Sequence, residues 1–377
     1  MKRILVFSTY FTPYLSGMTT YLYTILNNES KKNSVTVLTF RFDSSLPPRQ
    51  YINKIKVVRM PFLFKVSKGF ISPQSLLYFL NQIKEADILV INVPNFEGLP
   101  LVILSKLLRK KVIIIFHCEV KLGKSLPSNF VALFLNASVF FQLFLSDLII
   151  GHPDYMENVS FGRFFKMKIK TVLPPIEKKE VNLKSLTSFQ KLKKNNIWIG
   201  YVGRIASEKG IDFLIEAFSN LRTTKRNAVL VFAGPQGKNV AGEDKYFFYI
   251  KKLLASKKIP HIFFGQVAEK DLGALYKSLD LLVLPSLNST EAFGMVQAEA
   301  MLLGTPVVAS NLPGVRIPIN LTKMGKSVPP KNSKALATEI EEVLTHKNQF
   351  SSRKLMANAK KLFNIQKTYK FYAEILH

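Results

Sequence analysis

Residues 280–313 constrain the fold most strongly, because they have the pattern of a complete strand–loop–helix–strand unit. The apolar run 281–284 is too short for a helix and ends at Pro285, which predicts a buried strand. After a polar loop, a helical pattern begins near Gly294 and ends at Gly304, before the next apolar run. Strands joined through a helix run parallel, so this unit predicts a parallel sheet.

Two carboxylates lie in this unit, Glu291 in the loop and Glu299 on the helix. The helical neighbours of Glu299 are almost all apolar, so its carboxylate is expected to be poorly hydrated. Burial of a carboxylate is costly unless donors satisfy it, and the hydroxyl groups of a bound polyol are such donors. Phe293, Gly294 and Met295 place backbone N–H groups at a helix N-terminus, where anions bind. The alternative is an acid that favours the helix dipole together with a half-exposed glutamate.

The same alternation of apolar runs and helical segments recurs along most of the chain. Strand patterns start at residues 2–8 and start again, after a lysine-rich stretch, at residues 197–204. With 377 residues, the chain is long enough for two domains with separate cores. The fold class is therefore predicted to be α/β, with domains at residues 1–178 and 195–361 and a linker at 179–194. Further strands are predicted at 34–40, 56–59, 88–92, 111–116, 148–150, 170–173, 229–233, 261–264 and 307–309.

A basic pair follows the first strand of the second predicted domain. Arg204 lies at the end of that strand, and Lys209 precedes Gly210 and an amphipathic helix. Toward phosphate oxygens an arginine acts as a planar fork and a lysine as a point charge, so the pair suits a diphosphate. The alternative is an ordinary basic loop in a basic protein.

The first domain offers two candidates of its own. Gly17 lies in the turn between the first strand and its helix, where a glycine taken alone is ordinary. His117 lies just past the strand predicted at 111–116, and the carboxyl edge of a doubly wound sheet borders the ligand crevice. A lone histidine is more often structural, but this position favours a functional role.

In its full setting, the stretch E-A-F-G-x-x-x-x-E-A-M-x-x-G-x-P-V-V-A, from Glu291 to Ala309, resembles the nucleotide-sugar signature of retaining GT-B glycosyltransferases, family 4 in particular. The G-R-x-x-x-x-K-G element at residues 203–210 matches that family as well. Of the glycine pair at the family's first turn only the second, Gly17, is kept, because Ser16 replaces the first. The resemblance implies two Rossmann-like, doubly wound parallel-sheet domains that face each other across a cleft, with a C-terminal helix at about 362–377 packed on the first domain.

The resemblance also implies a function: the retaining transfer of a sugar from a nucleotide diphosphate donor to an acceptor. Arg204 and Lys209 are expected to hold the diphosphate. Glu291 is expected to bind the sugar hydroxyls and Glu299 the ribose hydroxyls, and His117 is expected to contact the sugar or the acceptor. The candidate catalytic residues are thus Glu291 and His117, and the donor-binding candidates are Gly17, Arg204, Lys209, Phe293, Gly294, Met295 and Glu299.

No metal and no cofactor are expected beside the nucleotide diphosphate sugar as co-substrate. The chain has no D-x-D motif, which argues against a metal-dependent transferase of the other main glycosyltransferase architecture. It also has no G-x-G-x-x-G and no P-loop motif, which argues against a dinucleotide dehydrogenase and a P-loop NTPase. A nucleotide-sugar epimerase of the same architecture stays an alternative. A basic nucleic-acid-binding protein is less favoured, because the usual basic–aromatic recognition motifs are missing, so no specific nucleic acid is predicted as a partner.

The charge of the chain favours an anionic partner, since 53 basic residues against 25 acidic ones give a net charge of +28. A lysine-rich solvated surface is the alternative. The single cysteine, Cys118, fits a reducing compartment, and the start of the chain has no secretory-signal pattern, so a cytoplasmic location is expected.

Residues 130–150 are almost wholly apolar, apart from a polar stripe at Ser138, Gln142 and Ser146. The stretch approaches the length of a membrane span, but Asp147 and a strand pattern at 148–150 argue against spanning. The favoured interpretation is a buried domain helix. The second interpretation is a partly exposed apolar face that docks on a bilayer interface with the help of Lys121 and Lys124. Together with the charge, it predicts a glycan or lipid-linked acceptor and a peripheral location on the inner face of an anionic membrane.

Overall fold

We describe the protein from a computed structural model that covers residues 1–66, 69–120, 126–159, 162–221, 227–237 and 243–377. The chain divides into two compact units. The first unit comprises Met1–Pro175 and Ile365–His377, and the second comprises Ile176–Asn364.

The strands coincide with the apolar runs of the sequence. In chain order they are β1 (Arg3–Phe7), β2 (Ser34–Phe40), β3 (Arg49–Ile52), β4 (Ile55–Met60), β5 (Phe64–Val66), β6 (Gly69–Ile71), β7 (Ile88–Val93), β8 (Lys111–Phe116), β9 (Leu148–Gly151), β10 (Ile169–Thr171), β11 (Ile197–Val202), β12 (Ala228–Ala233), β13 (His261–Gly265), β14 (Leu281–Leu284), β15 (Val307–Ser310) and β16 (Gly325–Val328).

Helices connect most of these strands. They are α1 (Gly17–Glu29), α2 (Ser75–Ile83), α3 (Gly98–Leu107), α4 (Leu126–Leu145), α5 (Tyr155–Asn158), α6 (Leu183–Lys193), α7 (Ile211–Leu221), α8 (Asp244–Ser256), α9 (Glu269–Ser278), α10 (Met295–Leu302), α11 (Ile317–Thr322), α12 (Ser333–Thr345), α13 (Lys347–Phe350), α14 (Arg353–Leu362) and α15 (Ile365–Leu376), with 3₁₀ segments at Gly162–Lys168 and Ser207–Lys209.

The sheet of the first unit has the strand order β10-β9-β8-β7-β1-β2-β4-β3 within the described residues. Its pairings are parallel except that between β3 and β4, and β5 and β6 form a separate antiparallel hairpin. Strands β7 and β8 are buried along nearly their whole length, as expected for a parallel sheet with helices on both faces. The direction of winding reverses between β1 and β7.

The sheet of the second unit has the order β13-β12-β11-β14-β15-β16, and all of its pairings are parallel. This is the Rossmann strand order, in which the direction of winding reverses between the first and fourth strands, here β11 and β14. One face of the sheet packs on α7, α8 and α12 through a continuous apolar core. The prediction of an α/β protein with doubly wound parallel sheets is confirmed.

The last helix, α15, belongs to the first unit. The hydroxyl groups of Tyr21 and Tyr372 are 2.7 Å apart in the buried contact between α1 and α15. Thr368 donates a hydrogen bond to the carbonyl oxygen of Leu173, and the Lys111 ammonium donates to that of Ile375. These contacts fix the end of the chain to both a helix and a strand of the first unit.

The lysine-rich stretch expected to be a linker, 179–194, instead contains helix α6 of the second unit. Asn182 caps the helix, and Lys193 pairs with Asp280 at 2.5 Å. Phe189 packs edge-on against Trp198 and Phe264. The linker prediction failed because a helix on the surface needs only a narrow apolar stripe, and the exposed lysines on the rest of α6 conceal it.

Helix α4 is oriented opposite to the favoured interpretation of residues 130–150 as a buried helix. Its polar stripe is the buried side: Gln142 donates to the carbonyl oxygen of Asn95 at 2.8 Å, and Ser138 donates to that of Phe96 at 3.2 Å. Large apolar side chains on the other side are exposed. The second interpretation, a partly exposed apolar face, is correct as far as exposure goes, while Lys121 and Lys124 lie outside the described residues. In the part of the chain that the structure describes, no helix is both long and apolar enough to cross a membrane.

The orientation of α4 predicts a large loss of stability at one residue and almost none at its neighbour. Gln142→Leu should lower the free energy of unfolding by about 1–3 kcal/mol, because the buried Asn95 carbonyl loses its donor. Phe141→Ser should change it by less than about 0.5 kcal/mol, since the side chain already contacts solvent. Urea denaturation followed by circular dichroism measures both values. A large loss for Phe141→Ser with none for Gln142→Leu would mean that the helix is oriented the other way.

Candidate functional site

The candidate residues of the second unit cluster where its sheet reverses direction. Strands β11 and β14 are neighbours there, and the loops after their carboxyl ends carry Arg204 and Lys209 on one side and Glu291 on the other. The two loops are joined directly, because the backbone N–H of Leu287 donates to the carbonyl oxygen of Glu208 at 3.0 Å. Ligands of doubly wound sheets bind in this crevice.

The first of these loops is held tightly against its neighbours. Gly203 has φ +150°, and a Cβ on Gly234 would lie 2.2 Å from the carbonyl oxygen of Gly203, so the two turns approach as only glycines allow. The buried hydroxyl of Tyr201 donates to the carbonyl oxygen of Arg204 at 2.6 Å. The Arg204 guanidinium lies 3.0 Å from the Glu208 carboxylate. The backbone around Arg204 is therefore fixed before any ligand binds.

Lys209 and Glu291 form an ion pair across the two loops, and both side chains are only 17% exposed. Lys209 ends a short 3₁₀ segment, and Gly210 follows it in the left-handed region with φ +66°. A Cβ on Gly210 would lie 2.3 Å from the carbonyl oxygen of Pro285, so a glycine is required for the loop to pass β14. Ser286 donates a longer hydrogen bond to Glu291, at 3.4 Å.

Helix α10 begins in this same crevice. Gly294 occupies its N-cap with φ +72°, and a Cβ there would collide with Leu284 at 2.4 Å. Phe293 is buried, and its carbonyl oxygen accepts from Gln297 at 3.0 Å. No side chain caps this helix, and the positive end of its dipole lies at the turn around Met295. This is a suitable place for an anion.

Glu299 lies further along α10 and is 13% exposed. Tyr276 donates to its carboxylate at 2.6 Å, and the Lys179 ammonium lies 3.6 Å away on the other oxygen. Burial raises the pKa of Glu299, while the charge of Lys179 and the hydroxyl of Tyr276 act to lower it. The carboxylate is therefore poorly hydrated, as its apolar neighbours predicted, but it is already supported by two protein donors.

The structure thus brings Arg204, Lys209 and Glu291 together. The pKa of the Tyr201 hydroxyl is raised first by burial and then by the charge of Glu291, and the charges of Arg204 and Glu208 act on it as well. Each of the two cations already has a carboxylate partner, so an incoming dianion must compete with Glu208 and Glu291. The cluster can exchange one set of anionic partners for another.

The candidates of the first unit lie at the corresponding edge of the other sheet. Gly17 is the first residue of α1, and Ser16 caps that helix through a reciprocal pair of hydrogen bonds with Thr19. The replacement of the family's first glycine by Ser16 therefore has a structural use. Gly17 itself is exposed at the helix N-terminus.

His117 follows β8 and is only 4% exposed. Its Nε2 atom lies 2.6 Å from the Oδ1 atom of Asn92. The Nδ2 amide of Asn92 in turn donates to the Ser8 hydroxyl at 3.1 Å. The ring of Tyr21, on α1, packs edge-on at 5.0 Å. Burial, and secondly the charge of His152, lower the pKa of His117 to about 3. The imidazole is therefore neutral at neutral pH and is held from the side by Asn92.

Four residues of these clusters were missed by sequence reasoning. Glu208 follows Arg204 by four positions, and this spacing indicates a contact between the two side chains only when the segment is known to turn. Tyr276 and Lys179 contact Glu299 from 23 and 120 positions away in the chain, and Lys179 lies in the stretch expected to be a linker. Asn92 lies one residue before the end of β7, the neighbour of the strand before His117, so the parallel pairing of β7 and β8 was the available signal.

Comparison with known proteins finds a family match in the second unit. Residues 185–362 match the family described as Glycosyl transferases group 1, a segment inside the second unit. Over 183 residues the chain is 32% identical to the D-inositol 3-phosphate glycosyltransferase of Corynebacterium glutamicum (strain R), covering 44% of this chain and 43% of that protein. Over 118 residues it is 39% identical to the lipopolysaccharide 1,2-N-acetylglucosaminetransferase of Salmonella typhimurium, covering 30% of each. The chain thus spans less than half the length of these curated relatives.

The likeness to solved structures extends over the whole chain. The crystal structure of Anabaena Alr3699/HepE in complex with UDP-glucose matches 100% of this chain and 99% of that one, with a TM-score of 0.79 and 18% identity. At this identity the match establishes the fold. The GT-B prediction is confirmed.

The buried histidines of the first unit predict a pH-dependent stability. The folded-state pKa values are lowered to about 3 for His117 and about 4 for His152, below the ordinary 6.5, so the unfolded chain binds more protons below that value. Their contribution is present above about pH 6.5 and is lost as the pH falls. At about pH 5 each histidine should lower the free energy of unfolding by about 2 kcal/mol relative to its value at pH 8. Urea denaturation at the two pH values measures this, and the double variant His117→Gln/His152→Gln should lack most of the difference. An equal difference in that variant would contradict the assignment.

Proposed function

We propose that this chain, which has the GT-B fold and matches the glycosyl transferases group 1 family over residues 185–362, is a glycosyltransferase that uses a nucleotide diphosphate sugar. The observation that carries the proposal is the Lys209–Glu291 pair beside Arg204, at the reversal point of a Rossmann-ordered sheet. The cations suit a diphosphate and the carboxylate suits sugar hydroxyls, so both halves of such a donor have a partner there.

The diphosphate is assigned to Arg204 and Lys209, with the N–H groups of Phe293, Gly294 and Met295 as further donors. Cleavage of the sugar–phosphate bond leaves negative charge on the diphosphate, and donors that are already positioned stabilise it as it develops. When the phosphate takes Lys209 from Glu291, the released carboxylate is free to accept from the sugar. Donor binding is then an exchange of partners that leaves neither charge unsatisfied.

The hydroxyl groups of the donor are assigned to the two glutamates. Glu291 binds and orients the sugar ring, and Glu299 accepts from the ribose. Tyr276 and Lys179 hold the Glu299 carboxylate in place, so we assign them as positioning residues for the nucleoside.

We further propose that the enzyme is retaining and belongs to family 4. The E-x₇-E signature of residues 291–299 and the 203–210 element support this. In a front-face route the departing phosphate oxygen takes the acceptor proton, so no general base is assigned. Analysis of the product's anomeric configuration by NMR tests this: an inverted product would contradict it.

The first unit is proposed to contribute Gly17 to the donor and His117 to the sugar or the acceptor. Because the pKa of His117 is lowered to about 3, we propose that it acts as a neutral hydrogen-bonding group and does not exchange protons. Asn92 fixes its orientation from the Nε2 side.

We also propose that the reaction needs no metal and no cofactor besides the donor. The arrangement of two cations and a helix N-terminus supplies positive charge at the place where metal-dependent transferases use an ion. Turnover in the presence of excess EDTA tests this, and loss of activity restored by a divalent cation would contradict it.

The acceptor is proposed to be a glycan or lipid-linked molecule at an anionic membrane, with the protein peripheral on its cytoplasmic face. The net charge of +28 and the exposed apolar face of α4 support this. The two relatives differ in this respect, since one is named for D-inositol 3-phosphate and the other for lipopolysaccharide. The names of these relatives do not favour a nucleotide-sugar epimerase. Release of an epimerised sugar in the absence of an acceptor would indicate one.

A panel of nucleoside diphosphate sugars, screened by thermal shift, tests the donor proposal. At least one member should raise the melting temperature in a concentration-dependent way, since a ligand that binds only the folded state stabilises it. RNA binding without any such shift would contradict the proposal.

Lys209→Ala should lower kcat/KM by roughly 10²–10³, because one charged donor to the leaving group is lost. A suitable control is Lys257→Ala, which removes a lysine from another lysine–glutamate pair of the same unit, that with Glu216 at 2.9 Å. The control should retain nearly full activity. Turnover of Lys209→Ala within a few-fold of the wild type would show that the diphosphate role is wrong.

Glu299→Gln should weaken nucleoside diphosphate binding by about tenfold, because a charge-assisted hydrogen bond to the ribose is lost. The variant should bind inorganic pyrophosphate, which has no ribose, almost as well as the wild type does.

Because burial raises the pKa of Glu299, nucleoside diphosphate binding by the wild type should weaken as the pH falls. The Glu299→Gln variant should lack this part of the pH dependence. Titration calorimetry measures all three values. Equal losses for both ligands would assign Glu299 a structural role only.

A further inference from the structure

Helix α4 carries a stripe of exposed aromatic side chains on its outer side. Phe130, Phe134, Phe141 and Phe144 follow a helical spacing, and their exposed fractions lie between 52% and 72%. We refer to these four residues as the outer stripe. Its residues span about 21 Å along the helix, at 1.5 Å per residue. Large side chains of this kind in a continuous exposed row mark an interaction surface.

The 3₁₀ segment Gly162–Lys168 extends this apolar surface sideways. Phe164 is 79% exposed and Met167 is 98% exposed. Phe140 of α4 contacts Phe164 edge-on, with ring centroids 6.4 Å apart, so the segment packs beside the helix. Lys168 fixes its far end, because its ammonium donates to the carbonyl oxygens of Phe144 and Ser146 at the end of α4. The outer stripe and the segment therefore form one surface.

The charged residues on the 3₁₀ segment and on the strand that follows it are all positive. Arg163, Lys166 and Lys170 are exposed beside Phe164 and Met167. Neither α4 nor residues 162–170 contain an acidic residue. Long basic side chains can extend from an apolar surface to anionic head groups while their stems stay with the aromatic rings.

We propose that the outer stripe and the 3₁₀ segment dock on the interface of a bilayer that contains anionic lipid. The aromatic side chains enter the boundary between head groups and acyl chains, and Arg163, Lys166 and Lys170 contact lipid phosphates. Helix α4 lies in the plane of the membrane, with its polar stripe still bonded to Asn95 and Phe96. This inference rests on the proposed membrane-bound acceptor and assigns the surface that brings the enzyme to it.

The chemistry favours a membrane over a protein partner. The apolar row lies on the convex outer side of a helix, a shape that suits a flat lipid interface. A second copy of this chain would bring the same cations face to face in a symmetric contact, whereas an anionic lipid surface neutralises them. An anionic membrane surface therefore matches both the apolar area and the basic side chains beside it.

Flotation of the full chain with vesicles tests the proposal. The wild type should float with vesicles of equal parts phosphatidylglycerol and phosphatidylcholine at low salt, and much less with phosphatidylcholine alone. The triple variant Phe134→Ser/Phe141→Ser/Phe144→Ser should lose partitioning by on the order of 100-fold. The double variant Arg163→Gln/Lys166→Gln should lose about fivefold for each charge removed.

The matched control changes an exposed aromatic and an exposed lysine of the second unit, Phe248→Ser/Lys252→Gln on α8, and should float like the wild type. Nucleoside diphosphate binding should be unchanged in every variant, which shows that each is folded and separates this proposal from the donor site. Wild-type flotation that the triple variant retains would overturn the assigned surface. No wild-type flotation at all, or self-association abolished by the triple variant, would overturn the membrane proposal while the donor titration stands.

Discussion

The structure of the second unit depends on the cost of holding charged side chains, away from bulk water, at the carboxyl ends of β11 and β14. An ion there without a partner is expensive. Lys209 and Glu291 satisfy each other across two loops, and Glu299 is satisfied by Tyr276 and Lys179. These pairs explain why the loops are so tightly tied, with glycines wherever a Cβ would meet neighbouring backbone. In the proposed function they also restrict the ligand, because a nucleotide diphosphate sugar supplies an anion for the cations and hydroxyl donors for the carboxylates together.

Most of the fold was predictable because its strands are buried on both faces. Such strands must be continuous apolar runs, and runs such as 281–284 and 111–116 appear as strands at the expected positions. The alternation with helices then implied parallel sheets. The stretch 179–194 was missed for the converse reason: α6 buries little, so its composition resembles that of a solvated linker. Lys179, which contacts Glu299, was hidden in the same stretch.

The orientation of helix α4 shows a different limit of sequence reasoning. Its period reveals two faces, but the period does not tell which face is turned inward. That depends on the neighbours, and here Ser138 and Gln142 of the polar stripe donate to the carbonyl oxygens of Phe96 and Asn95. The aromatic side is therefore left outside. Likewise, motif spacing could name the candidate residues, but the contact of Arg204 with Glu208 depends on the shape of the loop.

One measurement tests the central claim most directly: a crystal structure of the protein with a bound nucleoside diphosphate. The account predicts that the terminal phosphate contacts Arg204 and Lys209, that the Lys209–Glu291 pair is opened, and that the ribose lies against Glu299. A nucleotide bound elsewhere, with Lys209 and Glu291 still paired as in the free protein, would contradict it.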